Sequence, residues 1–240
     1  MLFTPEMSGL LDRDAVRAAK VLHEEDQDEV LAAVRQAAAE HRIWVQLGSL
    51  AVLVDDGKVA NRSFVIDREG NIRATYDKIH LFDVDLPTGE SWRESNVYSP
   101  GKGVVLVNGT PVGKLGLTIC YDLRFPGLFS RLAESDADVI AVPAAFTVPT
   151  GKAHWHVLLR ARAIEAGLFV VAAAQVGHHE DGRHTFGHSL VIDPWGEILL
   201  DMGEEKGIGF ADIDLKRISD VRSRIPALNH RRPIPDAVTL

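Results

Sequence analysis

The chain has 240 residues, enough for one large or two small domains, and its 46% hydrophobic and 25% charged residues exclude wholesale disorder. Asp and Glu outnumber Lys and Arg by 34 to 26, and the net charge of -8 argues against a nucleic-acid partner because phosphates would be repelled. No apolar run approaches the roughly 18 residues of a membrane helix, so no membrane partner is expected. A single cysteine excludes an internal disulfide and favours the reducing cytoplasm.

The beginning of the chain resembles the end of a core strand rather than a free terminus. The apolar pair Leu2 and Phe3 is followed at once by Thr-Pro-Glu, and no basic segment or signal-peptide core comes with it. We therefore expect that sequence upstream of Met1 is missing.

The first half of the chain predicts one helix followed by hairpins. Apolar residues share one face over Asp26–Arg42, with acids early and arginines late, as in an amphipathic helix. Alternating strand-like runs and polar turns come next. The predicted strands, separated by turns at 55–58 and 68–71, are Ile43–Val54, Ser63–Ile66 and Ile72–Tyr76.

The second half alternates helices with strands that are apolar throughout, and it ends in a meander. The predicted elements are strands Lys114–Ile119, Asp138–Pro143 and Leu168–Ala174, helices Gly127–Glu134 and His154–Ala166, and short strands Ser189–Ile192, Glu197–Leu200 and Gly209–Ile213, with a turn at 193–196. This mixture predicts a layered α/β domain with a mixed sheet. Because no linker or repeat divides the sequence, we interpret residues 1–240 as one domain.

Cys120 closes a predicted strand and precedes an abrupt polar turn, Tyr121–Pro126. A cysteine at that position can project from the sheet edge, and the backbone N–H groups that follow it can face an anion. A small buried hydrophobe is the ordinary interpretation of a lone cysteine, and position alone does not choose between the two.

Three charged residues accompany this cysteine in strand-like or apolar surroundings. Lys78 follows a predicted strand, where it is either a surface lysine or a buried ammonium that stabilises an oxyanion or thiolate. Glu6 comes directly after an apolar stretch, and Glu94 lies just after Trp92. Taken singly, each glutamate is equally well explained as an acid at the start of a helix.

Taken together, four segments in this order resemble the nitrilase, or carbon–nitrogen hydrolase, superfamily over essentially the whole chain. They are Phe3–Glu6, Tyr76–Phe82, Arg93–Gly101 and Leu117–Pro126, and residues 121–126, 150–165 and 172–175 resemble its Nit branch in particular. The resemblance implies a four-layer αββα sandwich, here apparently lacking the first strand and helix. It also implies assembly into a homodimer or a larger homo-oligomer.

The resemblance assigns a role to each candidate. Cys120 is the implied nucleophile, and Glu6 takes its proton and later activates water, because a thiol with a pKa of about 8.5 needs a nearby base. Lys78 and the backbone N–H of Tyr121 stabilise the oxyanion, while Glu94 orients the lysine and the substrate amide. The side chains expected to bind substrate are Tyr121, Asp122, Arg124, Phe146 and Trp155.

The implied reaction is hydrolysis of a linear amide C–N bond of a small acidic compound through a cysteine thioester, with release of ammonia. Deaminated glutathione is the first substrate to expect, and 2-oxoglutaramate-like acids, as in omega-amidases, are the alternative. The same residues would also serve a nitrile or an N-carbamoyl compound. A competing hypothesis is a non-catalytic or truncated relic that acts by protein interaction, since Glu6 lies so near the chain start.

No cofactor and no metal are predicted. Four histidines lie between residues 178 and 188, but their spacing has neither a CxxC nor an HExxH frame and favours a solvated loop. His154 and His156 flank Trp155 at the start of a predicted helix, where packing or pocket lining is the simpler interpretation.

Overall fold

Two β-sheets form the framework, and the computed structural model describes residues 1–54, 57–85, 89 and 91–239. The first sheet contains β1 (Leu2–Phe3), β2 (His23–Glu24), β3 (Val45–Leu53), β4 (Val59–Ile66) and β5 (Ile72–Asp77). The second contains β8 (Leu106–Thr110), β9 (Gly113–Leu117), β10 (Val139–Ala141), β11 (Phe169–Ala172), β14 (Leu190–Ile192) and β15 (Ile198–Asp201). Two separate hairpins are β6 (Asp83–Asp85) with β7 (Ser91–Arg93), and β12 (Val176–His178) with β13 (His184–Phe186).

Helices lie on these sheets and are joined by turns and short 3₁₀ segments. The helices are α1 (Ala15–Ala18), α2 (Glu29–His41), α3 (Pro126–Glu134), α4 (Val148–Ala166) and α5 (Lys216–Arg224). The 3₁₀ segments include Glu25–Gln27, Glu94–Asn96 and Cys120–Arg124. Within the described ranges, no helix is both long enough and apolar enough to cross a membrane.

The first sheet has the order β1-β3-β4-β5, with β2 also beside β3. β1 pairs with β3 in parallel, and β4 runs antiparallel to both β3 and β5, so β1, β3 and β5 point the same way. Side chains of β4 alternate between the two faces of the sheet. Phe64 and Ile66 join Leu31 of α2 in one cluster, whereas Val65 belongs to the core shared with the second sheet.

The second sheet has the order β15-β14-β11-β10-β9-β8, and β9, β10 and β11 are parallel. Gly116 of β9 faces α3, since a Cβ there would lie 3.0 Å from the side chain of Leu132. Its neighbours Leu115 and Leu117 are fully buried in the cluster that contains Val65 of the first sheet. The layers are therefore helix, sheet, sheet and helix, which confirms the four-layer αββα sandwich.

The predicted strands and helices are present, with three corrections. No strand forms at Gly209–Ile213, where the chain packs over the side chains of β15; a Cβ on Gly209 would lie 2.8 Å from Leu200. Helix α4 begins at Val148 rather than His154 and includes Gly151, whose bare Cα accommodates the ring of Phe186. Strand β4 begins at Val59 rather than Ser63. Of the first strand, Leu2 and Phe3 form β1.

One predicted feature falls partly outside the described residues. The turn expected at 55–58 includes Asp55 and Asp56, which the described ranges omit. The other two turns are present, and in each an aspartate side chain accepts backbone N–H groups. Asp67 accepts from Glu69 and Asn71, and Asp193 accepts from Trp195 and Glu197.

Candidate active site

The carboxyl ends of strands from both sheets meet at one edge of the sandwich. In the first sheet, Glu6 follows β1 and Lys78 follows β5. In the second, Cys120 follows β9, and the segments after β10 and β11 lie beside it. Because the strands within each set are parallel, their ends bring these side chains together at a position typical of α/β active sites.

The Glu6 carboxylate is buried and fully engaged by protein groups. Its Oε1 accepts from Lys78 Nζ at 3.1 Å and from Asn61 Nδ2 at 2.9 Å, while Oε2 accepts from the Ala145 N–H at 2.9 Å. The backbone carbonyl of Glu6 also accepts from Gln175 Nε2 at 3.0 Å. The segment after β1 is therefore fixed to both sheets at this residue.

Lys78 is a buried ammonium between two carboxylates, not a surface lysine, and only 2% of the residue is exposed. Besides Glu6, its Nζ donates to Glu94 at 2.9 and 3.1 Å. Glu94 is held in turn by the Phe82 N–H at 2.6 Å. Glu6 and Glu94, which come from different predicted segments, therefore both bind the ammonium of Lys78.

Asn61 of β4 joins the same cluster and was not among the predicted residues. Its Nδ2 donates to Glu6 at 2.9 Å and to Glu94 at 3.3 Å, and its backbone carbonyl accepts from the backbone N–H of Lys78 at 3.0 Å. The residue is 1% exposed, and its side-chain oxygen is buried with no partner within the described residues. A buried amide inside an apolar strand was the available sequence signal, but the predicted strand began only at Ser63.

Cys120 begins a tight 3₁₀ turn immediately after β9. Its φ of 48° is in the left-handed region, which a non-glycine residue adopts only when its surroundings enforce it. The Cys120 N–H donates to the Pro143 carbonyl at 2.8 Å. Glu6, Lys78 and the Ala145 N–H all lie close enough to the thiol to influence its pKa, so the thiol is next to the carboxylate and the ammonium.

Asp122 joins the cysteine turn to the lysine segment. Its Oδ2 accepts from the Ile119 N–H at 2.9 Å and from the Tyr76 hydroxyl at 2.7 Å, and its Oδ1 lies 3.0 Å from the His80 backbone nitrogen. Burial and the adjacent Asp122 raise the pKa of Tyr76 far above its ordinary value, so the hydroxyl remains a donor. This carboxylate therefore fixes the spacing between Lys78 and Cys120.

The protonation state of the site follows from burial and from the charges it brings together. Burial opposes the ammonium of Lys78, but Glu6 and Glu94 raise its pKa well above the ordinary value. Burial also opposes ionisation of Glu6, yet Lys78 and hydrogen bonds from Cys120 and Asn61 leave its pKa below the ordinary value. Burial, reinforced by Glu6, raises the pKa of the Cys120 thiol. The resting site thus holds a carboxylate, an ammonium and a neutral thiol.

Three of the predicted substrate-binding residues lie side by side. The guanidinium of Arg124 lies 5.9 Å from the ring centroid of Tyr121 and 5.4 Å from that of Phe146. The Tyr121 ring also makes an edge contact with Phe82 at 5.1 Å. Arg124 and Tyr121 are partly exposed, so a cation bordered by aromatic rings lies next to the cysteine turn.

The other two predicted substrate-binding residues, Asp122 and Trp155, have no exposed surface. Asp122 is engaged by the protein groups described above. Trp155 packs on Phe146 with ring centroids 4.7 Å apart and donates its indole N–H to the His188 carbonyl at 2.8 Å. Their positions argue against direct substrate contact and place both residues behind the site as supports.

Tyr98 is a further site residue that the sequence reasoning missed. Burial and the charges of Glu94 and Glu6 raise its pKa to about 12, which reflects its closeness to both carboxylates. It comes four residues after Glu94, inside the segment Arg93–Gly101, but no role was predicted for it. The bridge between Tyr98 and Val59 of β4 and the bond from the Tyr98 N–H to the Glu94 carbonyl bring it to the site.

A sequence model of the carbon–nitrogen hydrolase family matches residues 1–223, which include every residue of the buried cluster. The chain belongs to this family. Its sequence is 39% identical to the deaminated glutathione amidase of Yersinia enterocolitica over 99% of this chain and 84% of that protein.

Solved structures of the carbon–nitrogen hydrolase fold agree with the architecture. The NitFhit protein of C. elegans superposes with a TM-score of 0.86 at 39% identity, covering 96% of this chain and 57% of that one. A variant of the amidase from Nesterenkonia sp. AN1, with acrylamide added at its active-site cysteine, gives a TM-score of 0.75 at 25% identity over 94% of this chain and 84% of that one. As a carbon–nitrogen hydrolase with these relatives, the chain is a cysteine-dependent amidase that acts on a small molecule and water.

Proposed function

We propose that this carbon–nitrogen hydrolase cleaves a linear amide of a small acidic compound, deaminated glutathione foremost, through a thioester on Cys120. The observation that carries the proposal is the buried cluster in which Glu6 binds Lys78 at 3.1 Å and lies close enough to the Cys120 thiol to raise its pKa. A strained cysteine, a paired carboxylate and a buried cation together supply a nucleophile, a base and an oxyanion partner.

The first half-reaction forms the thioester. Sγ of Cys120 attacks the amide carbonyl carbon while Glu6 takes the thiol proton, because the resting thiol is neutral and the carboxylate ionised. Lys78 and the Tyr121 N–H stabilise the oxyanion of the tetrahedral intermediate. The C–N bond then breaks, and Glu6 returns the proton to the leaving nitrogen.

The second half-reaction releases the acid. Water attacks the thioester carbonyl as Glu6 takes one of its protons, and the C–S bond breaks to give the carboxylic acid and the Cys120 thiol. A primary amide gives ammonia in the first half-reaction. The amide nitrogens of deaminated glutathione are substituted, so its cleavage gives an amine, which corrects the expectation that ammonia is always the product.

Arg124 gives the site a preference for acids. Its guanidinium lies beside the cysteine turn near the rings of Tyr121 and Phe146, and its Nη1 lies 3.3 Å from His154 Nδ1. A charge-assisted hydrogen bond to a substrate carboxylate is worth about 1.5–3 kcal/mol, enough to select an acidic amide over a neutral one. The name of the Yersinia relative supports deaminated glutathione as that acid.

The deciding experiment measures products and the covalent intermediate together. The purified chain is incubated with deaminated glutathione, 2-oxoglutaramate, a nitrile and an N-carbamoyl compound, with amine, ammonia and carbon dioxide assayed separately. Quenched samples are digested and analysed by mass spectrometry for an acyl group on the peptide that contains Cys120. We expect deaminated glutathione to give the highest kcat/KM and Cys120→Ala to lose both turnover and the adduct. Undiminished turnover in Cys120→Ala would refute the mechanism, and inactivity of the wild type on every substrate would favour the non-catalytic relic.

The specificity claim has its own matched pair of variants. Arg124→Gln is expected to raise KM for the acidic amide by about tenfold or more, with little change for a neutral amide of similar size. Arg131→Gln removes an equally charged side chain from the exposed face of α3, where 69% of the side chain is accessible, and is the control. Equal effects of the two variants would remove Arg124 from the substrate site.

We also propose a homodimer or larger homo-oligomer in the cytoplasm. Large apolar side chains are exposed on the outer face of α4 and beside it, including Val157 at 68%, Ile164 at 52% and Ile225 at 56%. Exposed apolar groups on one face are typical of a subunit interface. Light scattering on a size-exclusion column tests the assembly, and Ile164→Glu is expected to lower the mass if this face is used.

A further inference from the structure

Two histidines and an aspartate from three separate elements meet away from the catalytic cluster. His156 comes from α4, His188 precedes β14, and Asp201 ends β15. His156 Nε2 lies 2.9 Å from Asp201 Oδ2, and His188 Nδ1 lies 2.9 Å from Asp201 Oδ1. One potential ligand atom from each residue lies within 4.8 Å of the other two.

We propose that His156, His188 and Asp201 form a binding site for a divalent transition metal of the Zn²⁺ class. Two imidazole nitrogens and a carboxylate oxygen are a donor set that Zn²⁺ and Co²⁺ accept, with remaining positions open to water. The three side chains are 21–32% exposed, so an ion can enter from solvent without unfolding the protein. Hard cations such as Mg²⁺ are disfavoured because they prefer oxygen ligands.

The surroundings hold these three side chains in place. The His188 ring stacks on Phe186 with centroids 4.4 Å apart, and its backbone, at a φ of 54°, is anchored by the indole N–H of Trp155. The Gly203 N–H donates to Asp201 Oδ1 at 2.9 Å and orients the carboxylate. Supporting contacts of this kind fix ligand geometry before the metal arrives and strengthen binding.

Charge also favours a cation here. Asp201 brings a carboxylate between the two imidazoles, and each of its oxygens lies 2.9 Å from a ring nitrogen. A bound Zn²⁺ would replace the hydrogen bonds that now link the three side chains.

The site is separate from the proposed amidase chemistry. Trp155 lies between the two, with its N–H on His188 and its ring on Phe146. Metal binding is expected to clamp α4 to the β14–β15 hairpin rather than to take part in amide cleavage. The proposal can consequently fail or succeed whatever the substrate proves to be.

The test uses the untagged full chain, freed of metal and carrying Cys120→Ala so that the buried thiol cannot bind the probe. Zn²⁺ is titrated calorimetrically, and Co²⁺ is followed by its visible absorption. In this background we expect one ion per chain, a rise in Tm with Zn²⁺, and affinity at least about tenfold weaker in His156→Gln and in Asp201→Asn.

The matched control is His178→Gln, which removes a histidine from the other close pair. His178 stacks on His184 in the β12–β13 hairpin with centroids 3.8 Å apart. This variant is expected to bind Zn²⁺ as the Cys120→Ala background does. The proposal would be overturned if the Cys120→Ala chain did not bind one Zn²⁺ per chain. It would also be overturned if His178→Gln lost binding while His156→Gln kept it. Thermal melts without metal verify that each variant is folded. Because His156→Gln and Asp201→Asn remove different ligands, the test still decides if one of them does not fold.

Discussion

Lys78 is a buried cation that forms ion pairs with two carboxylates, and the chemistry of the site depends on this excess of negative charge. Glu6 and Glu94 both contact its Nζ, and the Cys120 thiol next to them stays protonated because burial and Glu6 raise its pKa. This protonation state supports the proposed general-base transfer to Glu6 at the moment of attack, rather than attack by a thiolate formed in advance. Removing one partner from such a buried pair leaves an uncompensated charge.

The pH dependence of kcat/KM tests this protonation state. Glu6 must be ionised to accept the proton, and its pKa lies below the ordinary 4.5, so the acid limb is expected below that value. The thiol must stay protonated at rest, and burial raises its pKa well above the ordinary value, so the alkaline limb is expected above that value. An initial-rate series in buffers of constant ionic strength measures both limbs. An acid limb near neutral pH would contradict the assignment.

Asn61 is a positioning residue whose removal moves the acid limb. Its amide stabilises the charged form of Glu6, so Asn61→Ala is expected to raise the pKa of Glu6, shift the acid limb to higher pH and lower kcat more than KM. Gln46→Ala is the control, because Gln46 is an equally buried strand amide that bonds Ser63 instead, at 2.8 Å. It is expected to lower stability but to leave the limb in place. If the acid limb of the pH profile shifts equally in both variants, the effect is structural and Asn61 does not act on Glu6 specifically.

At the scale of elements, β3 and the segment after β1 approach unusually closely. A Cβ on Gly48 would lie 2.1 Å from the Thr4 carbonyl oxygen and 2.2 Å from that of Pro5, and the Gly48 N–H donates to Thr4 Oγ1 at 2.9 Å. Glycine at this point of β3 is what lets the chain carry Glu6 into the site.

Gly48→Ala should therefore impair catalysis although it lies outside the catalytic cluster. The added methyl must push residues 4–5 outward, and Glu6 with them, so we expect kcat to fall by at least about a hundredfold, as for a misplaced catalytic group. Gly103→Ala is the control, because a Cβ there meets nothing within 4 Å. Steady-state kinetics and a thermal melt of both variants measure the effect. Normal kcat in Gly48→Ala would show that the segment is not held in this way.

Sequence alone predicted the central strands and their order of appearance, and it singled out Lys78 and the three residues that the structure places around it, because apolar periodicity and ordered motifs are local properties. It missed residues whose importance arises only when distant segments meet. Asn61 and Tyr98 reach the site through strand pairing, and Asp122 and Trp155 point inward for reasons that only packing reveals. The segment predicted as a strand at Gly209–Ile213 packs over the side chains of the edge strand β15 instead of pairing with it.

At the scale of the whole molecule, the site depends on both halves of the sandwich. The first sheet supplies Glu6 and Lys78, and the second supplies Cys120 and Ala145. Hydrogen bonds cross between them, from Ala145 to Glu6 and from Tyr76 to Asp122. Because the proposed catalytic residues are divided in this way, sliding of one sheet relative to the other would break the site without unfolding either.

The position of β1 at a sheet edge makes the enzyme's activity more fragile than its fold. β1 pairs with β3 at the border of the first sheet and Glu6 follows it, whereas Cys120 follows β9, which lies between β8 and β10 in the second sheet. Residues 1–8 are expected to open at a lower free energy than the rest, detaching Glu6 while both sheets persist. Activity should therefore fade on heating before near-ultraviolet circular dichroism changes, by about 2–4 °C for each kcal/mol of difference, and return on cooling. If activity and circular dichroism change together with temperature, the protein unfolds as one cooperative unit. If activity is lost first and returns on cooling, residues 1–8 open locally and reversibly.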